Sequence, residues 1–328
     1  MDPKLLSSLM DPAILFFFFG LAAGALRSNL EIPPAIAKFL SLYLLLVIGF
    51  KGGVSMAATG FTSAMGWALL GAIVLAFVIP AWSFGVLRTR LSAFDAAAIA
   101  ATYGSVSAVT FITASGFAER QGLLVGGHMA VALVIMESPA IIMAVLLANM
   151  VRTRQAAAAG GRPAGPVKLG KVLHEAFTDG AHLLLIGSLL VGFITGDSGK
   201  KVLEPFTALQ KGILAFFLLD MGLLVAARAR DLRENRAFLT AFGLAAPLIN
   251  AALAAMLAKS FGLSLRDAFL LSVLAASASY IVVPAVVRYA IPEANASLYF
   301  GMSLVVTFPF NIVVGIPLYH GALSRFWS

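Results

Sequence analysis

The sequence predicts an all-α integral membrane protein of ten transmembrane helices, arranged as two inverted five-helix repeats. Three observations carry that expectation. The 328 residues are 60% hydrophobic and only 12% charged, against ~45–50% and ~25% in soluble domains. Ten apolar segments can be drawn along the chain. Residues of the first half also recur in the second at a nearly constant offset: Asp95, Ala96, Ser105 and Ser107 match Asp267, Ala268, Ser277 and Ser279, each 172 positions on.

The segments run approximately over 12–26, 34–50, 64–87, 95–117 and 123–151, then 177–196, 203–226, 237–260, 267–289 and 297–323. A span needs ~20 residues, so ten of them leave short loops. The first carries the small residues Ala22-Ala23-Gly24-Ala25, as a signal peptide would. Asp2 and Asp11 flank it, only Lys4 gives it a positive start, and it has a counterpart later in the chain, so it is read as a span. The second ends near Gly49–Gly53, where Lys51 snorkels to the interface. The longest polar interruption, Arg152 to Glu175, holds Gly160, Gly161, Pro163 and Pro166 and reads as a flexible linker. Residues 1–151 are then the first repeat, 152–176 the linker and 177–328 the second repeat.

Further matches fall in order. Ala13 to Gly24 resembles Ala181 to Gly192 at offset 168, Ile48-Gly49-Phe50 matches Met221-Gly222-Leu223 at 173, and Pro139 matches Pro309 at 170. Five spans per half is odd, so the second copy enters the membrane the other way up, as in secondary transporters with a site at the repeat interface. Alternate loops starting after the first segment hold 14 of the 23 Lys and Arg. That excess places the linker in the cytoplasm and both termini outside, in a multi-pass protein. The net charge of +8 is spread over helix ends and loops, so no nucleic-acid partner is expected. The absence of cysteine excludes disulfides and cysteine metal sites. His128, His174, His182 and His320 are scattered and read as interfacial or loop residues.

Two short polar stretches stand out inside apolar segments: Thr102-Tyr103-Gly104-Ser105-Val106-Ser107 and Ser277-Ala278-Ser279-Tyr280. A spanning helix has no water to satisfy its backbone. Small hydroxyl residues there let it break and leave free N–H groups at the start of its second half, where a small anion can bind. The candidate anion-binding residues are Gly104, Ser105, Ser107, Ser277, Ser279 and Tyr280, with Tyr103 as a further donor. Sodium takes hydroxyls and unwound carbonyls, so Thr102, Ser107, Thr110 and Thr307 are candidate ligands, with the intramembrane acid Glu137 beside them. Asp220 is a second intramembrane acid, while Asp95 and Asp267 head their helices as N-terminal charges. No nucleophile–base motif, phosphate loop or zinc spacing is present. An enzyme is not expected, nor any cofactor beyond sodium as coupling ion.

Taken together, these residues resemble the sodium-dependent bicarbonate transporters of the cyanobacterial type. Asp95-Ala96 leading to Gly104-Ser105-Val106-Ser107 and Thr110 is similar to that family's first broken helix. Ala275 to Ile281, then Arg288, Ile291-Pro292, Ala294-Asn295, Ser297, Tyr299 and Gly301, is similar to the stretch around its second. Gly52-Gly53, Glu137-Ser138-Pro139-Ala140 and Ala148-Asn149 fall in step. The resemblance implies two discontinuous crossing helices, core and gate domains, sodium-coupled bicarbonate uptake with the core carrying the substrate, and a homotrimer surrounded by membrane lipid. It also brings a PII-like cytosolic regulator as a partner of some members. The chain departs from the family where three serines and an Asp become Ser277-Ala278-Ser279-Tyr280 and the following polar residues become Val282-Val283-Pro284-Ala285. In the first break, Gly-Ser before the threonine becomes Ala108-Val109. A drier pocket of this kind favours a larger or less hydrated anion, such as a short carboxylate. The alternative is a proton-coupled small-carboxylate carrier or cation–proton antiporter using Glu137 or Asp220. A receptor-like protein that binds the anion without moving it is a third class.

Overall fold

The computed structural model describes residues 10–123, 125–158, 170, 174, 178–229 and 236–327. Helices make up the fold, and no strand is present among the described residues. The first half contains α1 (Pro12–Ala25), α2 (Pro34–Thr59), α3 (Ser63–Leu87), α4 (Ala93–Gly104), α5 (Ala108–Arg120) and α6 (His128–Ala158). The second contains α7 (Gly180–Ala208), α8 (Gln210–Arg228), α9 (Arg236–Ser260), α10 (Leu265–Ala276), α11 (Val282–Ala290) and α12 (Ala296–Phe326). Within α12, Met302–Thr307 and Asn311–Gly315 form π-helical turns. Among the described residues, eight stretches are long and apolar enough to cross a membrane, with α4–α5 counted as one over Ala93–Arg120. The two other expected segments are α1, of 14 residues, and the pair α10–α11, each half of which is shorter than a span.

Several boundaries differ from the sequence reading. α2 continues past Lys51 to Thr59, because Gly52 and Gly53 stay helical against neighbouring helices. α7 runs on to Ala208, bent at Gly196 where φ is 52°, and α8 begins only at Gln210. Three of the four histidines, His128, His182 and His320, are buried in helices rather than in loops. α6 extends through Ala158 into the stretch read as linker, whose remainder, like Asp2, Lys4, Arg230 and Arg233, falls mostly outside the described residues.

The helices form two groups. α1 lies along α8 and α2 along α7, the most extensive helix contacts in the molecule. The other helices pack around α4 and α10, whose residues from Ala96 to Gly104 and from Asp267 to Ala276 are all buried. Contacts between the groups are sparse by comparison. In a bilayer, close packing of this sort depends on small residues. Gly49 lies where a Cβ would strike the Ser188 hydroxyl and the Leu185 carbonyl and crowd the Leu189 amide, and Gly222 where it would strike the Phe17 carbonyl and Leu21 amide. Leu185 and Leu189 are 168 positions after Phe17 and Leu21, so the two glycines meet equivalent atoms.

The helix caps repeat the correspondence. Ser92 Oγ accepts the Asp95 amide at 3.1 Å and donates to its carboxylate at 2.6 Å; Ser264 does the same for Asp267 at 3.3 and 2.7 Å. Both acids therefore head α4 and α10. Asp95 accepts the Asn295 amide at 2.7 Å, and Asp267 lies 3.1 Å from the His128 ring. At the far end of α6, the Arg152 guanidinium bonds Glu293 at 2.7 and 2.9 Å and holds that carboxyl below the usual carboxylate range.

Candidate functional site

α4 stops at Gly104 because Ser105 and Ser107 take extended backbone conformations. Ser107 then caps α5, its Oγ accepting the Thr110 amide at 3.2 Å. α10 stops at Ala276, where Ser277 is extended, and α11 starts at Val282. Pro284 sits in the first turn of α11, where its missing N–H costs nothing. Ser105 to Ser107 and Ser277 to Tyr280 are buried, while Ile281 at the end of the second interruption is exposed.

The interruptions meet. The Ser279 amide donates to the Thr102 carbonyl at 2.8 Å. The Ser107 amide donates to Ser277 Oγ at 2.9 Å, and that hydroxyl donates to the Leu274 carbonyl at 2.8 Å. Ser279 and Leu274 are 172 positions after Ser107 and Thr102, so the two links are equivalent except that a serine hydroxyl is inserted in one. Ser107 Oγ further donates to the Tyr280 hydroxyl at 3.4 Å and accepts from Thr110 Oγ1 at 3.0 Å. Ser279 Oγ accepts the Val283 amide at 3.3 Å. Backbone that would otherwise be orphaned in an apolar interior is thus satisfied across the crossing.

A cavity of about 30 Å³ lies at the crossing, lined by Ser107, Ala108, Ser279, Ile281 and Val282 with Glu137. It faces the first residues of both α5 and α11, whose leading amides have no intrahelical acceptor. It adjoins a vestibule of about 750 Å³, which shares Ser41, Ala181, Tyr280 and Ile281 with it and carries Lys38, Asp179, Asp220 and Arg228. Of the predicted anion-binding residues, the structure brings Ser107, Ser279 and Tyr280 to the small cavity. Ser277 stands behind them in the crossing, while Gly104 and Ser105 terminate α4 without lining it. Ser105 Oγ is buried with no hydrogen-bond partner among the described residues.

The predicted sodium ligands do not converge on one point. Ser107 and Thr110 adjoin each other, and Thr102 Oγ1 donates to the Ile99 carbonyl of its own helix at 2.7 Å. Thr307 Oγ1 donates to the Gly243 carbonyl at 2.9 Å, so the Tyr103 hydroxyl is the donor in its 2.5 Å contact with Thr307. Tyr103 therefore points away from the cavity toward α12. Glu137 lines the cavity but is bonded to His182 Nδ1 at 2.5 Å. Among the described residues no three His, Asp or Glu cluster as a metal site would require.

The sequence reading missed three residues that support the crossing. His182 was read as an interfacial or loop residue, and only the fold brings it to Glu137. Asn311 Nδ2 donates to the Ala276 carbonyl at the end of α10 at 2.8 Å, and its Oδ1 accepts from Tyr319 at 2.8 Å. An amide deep in the last apolar segment was the available signal, since intramembrane polar side chains mark sites.

Interrupted helices that face each other inside a bundle of apolar spans are the construction of a membrane carrier. Residues 12–324 match the model of the Na+-dependent bicarbonate transporter superfamily, and the chain belongs to that family. It is a multi-pass membrane transporter and not an enzyme. No curated protein matches it.

Proposed function

We propose that the chain is a secondary active transporter that moves a small monovalent anion, bicarbonate first, in symport with sodium by alternating access. The observation that carries this reading is the crossing itself. The Ser279–Thr102 and Ser107–Ser277 hydrogen bonds aim the amino ends of α5 and α11 at one small cavity. Two positive helix ends on one point favour a guest of negative charge. The carboxyl ends of α4 and α10 offer carbonyls freed by the breaks, and with Ser107 and Thr110 they supply oxygen to sodium. An inverted duplication is supported by the paired caps, the paired glycine contacts and the equivalent links across the crossing. The eight helices α3–α6 and α9–α12 are then the moving core and α1, α2, α7 and α8 the gate.

The vestibule lies at the end of the bundle where α2 and α7 begin and α8 ends. With the linker cytoplasmic and the termini outside, this is an inward-facing arrangement. A homotrimer in a bacterial inner membrane, with a PII-like cytosolic regulator, extends the proposal from the family resemblance. Purified protein in proteoliposomes is expected to take up labelled bicarbonate several-fold faster with an inward sodium gradient than without one. Gradient-independent uptake removes the coupling, and absent uptake removes bicarbonate. A second reading has its own observation: Glu137 lines the small cavity and Asp220 the vestibule, as a proton-coupled carrier or antiporter would need. In that case a pH gradient replaces the sodium gradient as the driving force.

A further inference from the structure

Polar side chains join the two helix groups at three points that the structure describes. Asp11 of the α1 cap pairs with Arg120 of α5, Ser55 Oγ of α2 accepts the Gly127 amide at 3.2 Å, and Glu137 of α6 meets His182 of α7. The first two lie where α1 starts, α2 and α5 end and α6 begins. Behind those contacts that end of the bundle holds a crevice of about 180 Å³ lined by Lys51, Ser115, Glu119 and Gln210, and a cleft of about 520 Å³ lies beside it between α2 and α7, lined by Lys51, Ser55 and Asp197. The vestibule opens at the other end. Glu137 and His182 are set between the two ends, with Glu137 on the cavity at the crossing and Ala181, next to His182, on both cavities.

The pair is built rather than incidental. Glu137 is 6% exposed and His182 3% exposed, their polar atoms are 2.5 Å apart, and each sits on a different group. Separating them gives up a hydrogen bond between two buried polar groups, which biases the molecule toward the arrangement that keeps them together.

We propose that His182 is a positioning residue for transport. Through Glu137 it latches the core to the gate in the orientation where the crossing faces the vestibule, and the latch parts each time the core moves. This rests on the alternating-access reading above. Asp11–Arg120 and Ser55–Gly127 are the contacts that close the opposite end, so the latch competes with none of them and acts only on the open side.

The chain has no cysteine, so single reporters can be placed without background. Leu184→Cys reports the vestibule wall and Ser115→Cys the closed crevice. Each is reacted with a water-soluble maleimide on the full chain in nanodiscs. In the reference chain Leu184→Cys is expected to react faster than Ser115→Cys. Adding His182→Ala, or Glu137→Ala, should move the ratio of the two rates by about tenfold toward the crevice, and the exchanged pair Glu137→His with His182→Glu should restore it. An unchanged ratio overturns the latch. So does a parallel rise in both rates, which marks a loosened fold. Sodium plus bicarbonate must also shift the two rates in opposite senses in the reference chain. If they do not, alternating access itself falls, whereas a normal response with an unaffected His182→Ala ratio removes the latch alone.

Discussion

Each hydroxyl at the crossing has a distinct task, which separates binding from folding at the level of single atoms. Ser279 Oγ accepts one amide and lines the small cavity, so its hydroxyl hydrogen remains for a guest. Thr307 and Tyr103 are saturated by each other and by Gly243. Ser279→Ala is therefore expected to weaken anion binding by about tenfold, the value of one hydrogen bond to a charged group at ~1.5 kcal/mol. Because the same oxygen accepts the Val283 amide, the substitution should also cost about 1 kcal/mol of stability. Tyr103→Phe should cost about 1 kcal/mol of stability too but leave affinity unchanged. Ligand-dependent thermal unfolding measures both quantities on one sample, and equal effects of the two substitutions on affinity would contradict this division. Ser107, Ser279 and Tyr280 were legible in the sequence because hydroxyls at mid-span have few other uses. Thr102 and Thr307 looked identical by that criterion. Their hydrogen bonds to Ile99 and Gly243 depend on rotamer and on a distant helix, which spacing does not encode.

At the scale of elements, the breaks in α4–α5 and α10–α11 could be read from composition, whereas the ends of α2, α7 and α8 could not. Glycine and serine inside an apolar run force a decision about backbone hydrogen bonding within a few residues. The same residues at Gly49, Gly52 and Gly53 also suggested a helix end near Lys51, yet there they serve close packing. A glycine that ends a helix and a glycine that admits a neighbour differ only in what lies opposite. Gly49 and Gly222 make the point testable. Gly222→Val and Gly49→Val each place a side chain against backbone of the paired helix, which cannot yield as a side chain can. Both are expected to lower the unfolding temperature by several degrees and to reduce the folded yield, to similar extents because they meet equivalent atoms. Gly212→Ala on the same α8, with open space around it, is the control expected to change neither. A wide disparity between the two valine variants would count against the equivalence of α1–α8 and α2–α7.

For the whole molecule, the open question is what the anion looks like, and two volumes bear on it. The cavity at the crossing holds about 30 Å³ while the adjoining vestibule holds about 750 Å³. The vestibule wall includes Leu184, Phe217, Met221, Leu224, Phe300 and Leu304, so water gains little there and an apolar group gains much. Beside the crossing, Tyr280 and Val282 stand where a carboxylate and further polar groups would keep a pocket wet. A headgroup that fits the helix ends and a short tail that reaches the vestibule should therefore outcompete a fully hydrated ion. Each added methylene contributes about 0.8 kcal/mol, or roughly fourfold in affinity, while it remains against the wall. Inhibition of labelled bicarbonate uptake in proteoliposomes is expected to strengthen from formate to acetate to propionate by about that factor per step. Leu224→Ser, at a partly exposed position of the wall away from the crossing, should flatten the series while leaving formate in place. If the three carboxylates compete equally or not at all, the vestibule is only an aqueous approach. Selectivity would then reside entirely in the amides of α5 and α11, and bicarbonate would stand as the preferred guest.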